Sequence, residues 1–151
     1  MTEQDIVNAI VEWLKDKNFI VATEVCNMSA IVDIGCISEL GEVWAIECKL
    51  HAMKKVIWQA HYHWLVADKV YIGVPSRKIR KATLCEAEKH GVGIIFVCNG
   101  EVEIVKECNL IDDGFQFLPK KEEFVECIKR FSKLITREGE MNKKGDKNGK
   151  I

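Results

Sequence analysis

The sequence lacks the features that would place the chain in a membrane, outside the cell or on nucleic acid by charge alone. No apolar run approaches the roughly 20 residues of a membrane span, and the segment MTEQDIVNAI is acidic where a secretory signal is basic. The formal net charge of -1 gives no general attraction to a polyanion. We therefore expect a cytoplasmic protein whose contacts with nucleic acid depend on local basic patches or on a bound metal.

Paired cysteine motifs are absent as well. The 7 cysteines include no C-x-x-C pair, and most interrupt apolar stretches, as small hydrophobic residues do. His51, His61 and His63 invite a zinc interpretation, but residues two apart on a helix do not face the same way. We expect reduced thiols and no zinc.

The composition is that of one globular domain. The chain has 151 residues, of which 48% are hydrophobic and 30% charged, which is enough for a single core. We predict one domain over residues 1–136 and a disordered polar tail over 137–151, because the tail has too few apolar residues to offset the entropy of ordering it. No internal repeat is visible.

Hydrophobic periodicity predicts alternating helices and strands. Helices are predicted over 3–17, 53–67, 77–90 and 120–135, and strands over 19–25, 30–37, 43–50, 69–75 and on both sides of Asn99-Gly100. This order predicts the α/β class, with a mixed central sheet of four or five strands flanked by helices, plus a C-terminal hairpin and helix.

Two neighbouring strands bring acidic side chains together. If the connection over 38–42 closes the hairpin symmetrically, Asp33 lies opposite Glu47, and paired side chains have Cβ atoms roughly 4.5 to 5.5 Å apart. Alternation puts Lys49 on the same face and leaves the opposite face apolar. Two close carboxylates suit Mg²⁺ or Mn²⁺, and the lysine could orient a water or offset transition-state charge. An E-x-K motif by itself usually indicates only a salt-bridged, solvated sheet face. The aspartate at the paired position favours a metal site instead.

The order of elements and the pattern D-x13-E-x-K resemble the PD-(D/E)xK nuclease superfamily over residues 3–98. Asp33 matches its metal-binding aspartate and Glu47-Cys48-Lys49 matches (D/E)-x-K, while Val32 stands where the name-giving proline would be. The branches most similar are the Holliday-junction resolvase, VRR-type and small DNA-repair nuclease-like proteins. The resemblance implies a restriction-endonuclease-like fold, Mg²⁺ or Mn²⁺ as cofactor, DNA as substrate and a possible homodimer.

The resemblance extends the candidate site beyond these three residues. It implies Glu3 as a helical metal-binding glutamate, and Gln59 with Tyr62 as site residues in the helix after Lys49. From its place in the strand before Asp33, Glu24 could be a third carboxylate at the metal or a solvated strand end. Basic residues cluster at two helix starts, where they could bind DNA phosphates or be plain solvated surface. Together with Tyr62, the predicted nucleic-acid contacts are Lys54, Lys55, Arg77, Lys78 and Arg80.

The function that these predictions favour is divalent-metal-dependent cleavage of DNA in repair, recombination or a phage-related process. Asp33, Glu47, Lys49 and Gln59 are the predicted catalytic residues. The alternative is a non-catalytic DNA-binding or assembly module that retains the nuclease fold.

Overall fold

The computed structural model describes residues 1–110 and 116–148, and it describes side chains as far as residue 134. The elements, in chain order, are α1 (Glu3–Asp16), β1 (Ile20–Asn27), β2 (Ala30–Ile37), β3 (Val43–Cys48), α2 (Lys54–His61), a 3₁₀ helix (Tyr62–Leu65), β4 (Lys69–Pro75), α3 (Lys81–His90), β5 (Gly93–Cys98), β6 (Glu101–Lys106) and α4 (Leu118–Asn148).

The strands form one mixed sheet in the order in which they occur in the chain. β1, β2 and β3 pair antiparallel, β3, β4 and β5 pair parallel, and β6 returns antiparallel to β5. The predicted α/β class with a mixed, helix-flanked sheet is confirmed. The sheet has 6 strands because the C-terminal hairpin, predicted as an addition, forms its last two strands.

Helix α1 covers one face of the sheet. It begins with the capping box that Thr2 and Asp5 predict, and its buried stripe consists of Ile6, Ile10 and Leu14. The helix lies so close to β4 that a Cβ added at Gly73 would be 2.5 Å from Cδ1 of Ile10. A residue without a side chain is therefore required there.

Helix α4 covers the opposite face. A Cβ added at Gly35 would lie 3.0 Å from Ile128 Cγ1 and 3.1 Å from Phe124, both of which are fully buried. Strand alternation places Asp33 and Glu47 at one end of this face beside small and apolar residues, and α4 buries the apolar part. Because α1 and α4 cover the two faces of the sheet, β3 is buried along its whole length, and the acidic residues at one end of this face lie in a largely apolar layer.

Local boundaries differ from the predictions in two places. The single helix predicted over 53–67 is α2 followed by the 3₁₀ helix, a common way for a helix to end, and this tighter turn buries both His63 and Trp64. α3 begins at Lys81 rather than at 77, which leaves 77–80 as an irregular connection. The predicted turn at Asn99-Gly100 is confirmed by positive φ angles at both residues.

The C-terminal segment and the cysteines complete the description. The backbone of α4 is helical as far as Asn148 and so runs through most of the segment predicted to be a disordered tail, but its side chains beyond 134 lie outside the described residues. The boundary at 136 stays a prediction. All seven cysteines are free thiols. In residues 1–110 and 116–148, no helix combines the length and apolarity needed to cross a membrane.

Candidate active site

The candidate site lies where the β2–β3 ladder ends. Ile37 pairs with Val43 and the register continues to Ile34 and Ile46, so the next positions along the two strands are Asp33 and Glu47, as predicted. The backbone N–H of Cys48 donates to Oδ2 of Asp33 at 2.8 Å. The two carboxyl groups are in contact, and each affects the pKa of the other. The sheet therefore holds two acids side by side, as the hairpin register requires.

Both carboxyl groups are harder to ionise than free ones. Burial raises the pKa of Asp33 from 3.8 to about 6, with the Cys48 N–H opposing and the charge of Glu47 adding to this rise. Burial likewise raises the pKa of Glu47, against the opposing effects of Asp33 and of Lys49. Two partly desolvated acids in contact are a high-energy arrangement once ionised, and a cation between them would relieve it.

Lys49 lies at the rim of this pair. Its Nζ is 3.4 Å from Oε1 of Glu3, and the two side chains are 43% and 48% exposed, so the ion pair is weak and exchangeable. Lys49 also lowers the pKa of both Asp33 and Glu47 by its charge. The structure thus brings Lys49 to the acids as predicted, whereas Glu3, predicted as a metal ligand, is an ion-pair partner of the lysine.

Glu24 sits beside Asp33 on the neighbouring strand. The β1–β2 ladder pairs Thr23 with Ile34 and Val25 with Val32 but skips the position between them, where Glu24 has φ 52. This left-handed backbone is uncommon for a residue other than glycine and is a sign of local strain. Glu24 is exposed and helps to line a cleft of about 220 Å³ together with Glu3, Asp33 and Lys49.

A buried histidine contacts the site from behind. Nε2 of His63 is 2.7 Å from Oε1 of Glu47, and its Nδ1 is 3.0 Å from Nδ2 of Asn27. The histidine and the asparagine are 1% and 2% exposed. Burial lowers the pKa of His63 to about 4, against the opposing charge of Asp33, so the ring is neutral at physiological pH.

The sequence analysis did not place either residue in the site. His63 was considered only as a zinc ligand, and Asn27 only as turn material. The helical stripe of Val56, Ala60, Trp64 and Ala67 assigns the buried position to Trp64, so periodicity gives no signal for His63. The sequence carries no signal for Asn27 either.

Two predicted site residues are not brought to the acids. Gln59 is exposed on α2 and makes no side-chain hydrogen bond with the described residues. The hydroxyl of Tyr62 donates to the sulfur of Met28 at 3.1 Å, at the turn between β1 and β2. Their predicted roles in catalysis and DNA binding gain no support from these positions.

A basic cleft of about 630 Å³ begins directly after Lys49. It lies between the starts of α2 and α3, and four predicted DNA contacts line it: Lys54, Arg77, Lys78 and Arg80. Both helices begin without a side-chain cap and without an acidic residue in the first turn, so their N-terminal N–H groups are available to an anion. Lys55 is exposed on α2 but is not among the residues that line the cleft.

The donors present define which metals fit. In the described part of the chain no group of three or more His, Cys, Asp or Glu side chains is arranged to hold a metal ion, which disfavours a closed zinc-type site. Asp33 and Glu47 nevertheless fit Mg²⁺ or Mn²⁺, because such ions are commonly bound by one or two carboxylates with waters and substrate phosphate in the other positions.

Comparisons with known proteins establish the fold alone. No family model matches the chain, and no curated protein matches it with significance. Among solved structures, a protein of unknown function from Silicibacter pomeroyi, SPO1766, superposes with a TM-score of 0.70 at 17% identity, over 97% of this chain and 94% of that one. SfsA from Pyrococcus furiosus, in a complex with Ca²⁺, gives a TM-score of 0.41 at 14% identity over 67% of this chain and 59% of its own. The chain therefore shares the overall fold of the Silicibacter protein.

Proposed function

We propose that the chain is a divalent-metal-dependent phosphodiesterase that cleaves DNA, with a site of the PD-(D/E)xK kind. The observation that carries the proposal is the contact between Asp33 and Glu47 at the end of the β2–β3 ladder, with Lys49 beside them. A purely structural pair of acids would be expected to lie apart or to be neutralised in the core. Asp33 instead borders a cleft together with Glu3, Glu24 and Lys49, and Glu47 lies buried beside it.

The roles of the residues follow from their positions. Asp33 and Glu47 would hold the metal, which when bound supplies a Lewis acid and a water of lowered pKa. Lys49 is half-exposed at the rim of the cleft, and its weak pairing with Glu3 leaves it able to move to a phosphate oxygen. There it would offset the charge that develops during cleavage.

The basic cleft would bind the phosphates of a polynucleotide that extend beyond the acids. Leu50 and His51 connect Lys49 directly to it, and Arg77 stands beside His51 with Nη1 3.4 Å from Nδ1. Crevices at the carboxyl ends of parallel strands are the usual ligand sites of open α/β sheets. The chain has a net charge of -1, so binding would depend on this local cluster rather than on the charge of the whole molecule.

Cleavage assays test the proposal directly. The purified protein is incubated with linear, circular, single-stranded and branched DNA in Mg²⁺ or Mn²⁺, with a chelator as control. We expect metal-dependent cleavage that Glu47→Gln abolishes, because the amide is a poorer metal ligand than the carboxylate. Glu39→Gln is the matched control, since Glu39 is an exposed acid in the β2–β3 connection. If the wild type cuts none of these DNAs with either metal, the proposal fails.

A second candidate function is a DNA-binding or assembly module without catalysis. It is favoured by the ion pair that occupies Lys49 and by the absence of a third metal-ligating side chain at the acids within the described residues. Binding assays separate the two. A module would retain its DNA affinity in a chelator and in Glu47→Gln, and its affinity would depend on the basic cleft alone.

A further inference from the structure

Three polar side chains form a continuous buried chain that ends on Glu47. Asn27 lies at the end of β1, His63 in the 3₁₀ helix, and Glu47 near the end of β3, so three separate elements contribute. The contacts are 3.0 Å from Asn27 Nδ2 to His63 Nδ1 and 2.7 Å from His63 Nε2 to Glu47 Oε1. All three residues are buried, which makes each hydrogen bond costly to break.

The directions of these hydrogen bonds follow from the donors available. An ionised Glu47 can only accept, so Nε2 of His63 must carry the hydrogen. A neutral imidazole has one donor nitrogen and one acceptor nitrogen, so Nδ1 accepts and the asparagine must present its NH₂ group. The amide is fixed accordingly, although its Oδ1 is buried without a hydrogen-bond partner among the described residues.

We propose that His63 is a positioning residue of the active site, holding Oε1 of Glu47 so that the other carboxylate oxygen is available to a metal that Asp33 would also hold, while Asn27 anchors the histidine ring at Nδ1. The inference rests on the proposed function for the identity of the ligand. Asp33 has a parallel arrangement, because the Cys48 N–H holds its Oδ2. Each acid thus has one oxygen held by an N–H group of the protein.

This role differs from a merely structural one in what it predicts for metal binding. A side chain that only fills the core affects folding, whereas a group that orients a metal ligand affects the metal affinity of the folded protein. Loss of such a group commonly lowers metal affinity by about 10- to 100-fold. The 3₁₀ backbone at His63 and the paired strand at Asn27 are suited to holding a carboxylate in one orientation.

Mn²⁺ titrations of three variants test the inference. His63→Leu keeps the bulk but removes the donor, and its Mn²⁺ affinity should fall by about 10- to 100-fold. His63→Gln places an N–H near the position of Nε2 and should recover most of that loss. His90→Gln is the control, because His90 lies on α3 in contact with His61 and Glu86, and it should bind Mn²⁺ as the wild type does. Thermal melts in a chelator report stability separately.

NMR of the metal-free wild type at pH 8 gives a readout that needs neither cleavage nor a variant. Long-range proton–nitrogen correlations should show a hydrogen on Nε2 of His63, the ring nitrogen that faces Glu47. A wild-type ring without a hydrogen on Nε2, or equal Mn²⁺ affinities for His63→Leu and wild type, would each overturn the inference. If His63→Leu does not fold, the NMR result decides the question.

The two proposals can fail separately. A wild type that binds Mn²⁺ but cleaves no DNA removes the proposed function, and weaker Mn²⁺ binding by His63→Leu would then still support the positioning role. Cleavage by the wild type together with unchanged metal binding in both His63 variants removes the positioning role alone.

Discussion

Replacing Asp33 by asparagine should stabilise the metal-free protein near pH 8. The pKa of Asp33 is raised from 3.8 to about 6, chiefly by burial. A carboxyl group whose pKa is higher in the folded state contributes stability that is complete below the unfolded pKa and is lost as the pH rises through the folded pKa. At pH 8 the wild type therefore carries an ionised, partly desolvated carboxylate next to Glu47, and the asparagine does not.

The size of the effect follows from the pKa. A pKa that is about 2 above the ordinary value corresponds to about 3 kcal/mol, and solvent access to a partly exposed group reduces this to roughly 1.5 kcal/mol. The asparagine keeps the local hydrogen bonds, since its Oδ1 can accept from the Cys48 N–H and its Nδ2 can donate to Glu47. We expect Asp33→Asn to be more stable than wild type by roughly 1.5 kcal/mol at pH 8, with no gain at about pH 4.

Urea denaturation in a chelator at pH 8, 6 and 4 measures this difference. Asp68→Asn is the matched control with the opposite sign. Burial raises the pKa of Asp68, but hydrogen bonds from Lys121, the Val43 N–H and Gln116 lower it overall. These three hydrogen bonds are 2.6, 2.9 and 3.1 Å long, respectively. Asp68→Asn should therefore be less stable than wild type at pH 8, and its deficit should shrink as the pH falls through the lowered pKa.

Adding Mn²⁺ should reverse the order of wild type and Asp33→Asn. A ligand at 100 times its dissociation constant stabilises the folded state by about 2.7 kcal/mol, and this gain should be present for wild type and absent for the variant. The reasoning is refuted if Asp33→Asn is the less stable protein at pH 8 without metal. Asp33 would then be a stabilising partner of Lys49 rather than an acid held in an unfavourable place.

Three further predictions address the lysine, the close approach of α1 and the basic cleft. Lys49→Ala should abolish cleavage of DNA while leaving Mn²⁺ affinity nearly unchanged, and cleavage at the wild-type rate would contradict its proposed role. Gly73→Ala should lower the free energy of unfolding by about 1 to 3 kcal/mol through overpacking, because the new Cβ would lie 2.5 Å from Ile10 Cδ1. Urea denaturation measures this loss, and an unchanged free energy of unfolding would mean that α1 shifts freely. Arg77→Ala should weaken DNA binding by a similar factor for all sequences and reduce the salt dependence by about one phosphate contact. An unchanged salt dependence would place the DNA elsewhere.

The parts of the site that come from one hairpin could be predicted from the sequence, and the parts that come from distant elements could not. The length of the β2–β3 connection and the alternation of the strands fix Asp33 next to Glu47 without further information. The contact of His63 with Glu47 depends on where the chain tightens into a 3₁₀ helix, which periodicity does not reveal. Asn27 reaches the histidine only because β1 pairs with β2 and the 3₁₀ helix packs behind them. The basic cleft likewise requires that two parallel crossovers bring the starts of α2 and α3 together.

Three departures from ordinary stability rules meet at one end of the β2–β3 hairpin. Two acids with raised pKa touch there, Glu24 has a left-handed backbone beside them, and Asn27 buries an oxygen without a partner among the described residues. Each feature costs free energy, and an apolar pair at Asp33 and Glu47 would remove most of that cost. Sequences are locally consistent with their folds except where function demands otherwise. Three costs that meet around one pair of carboxylates are what the proposed metal chemistry at that pair would lead us to expect.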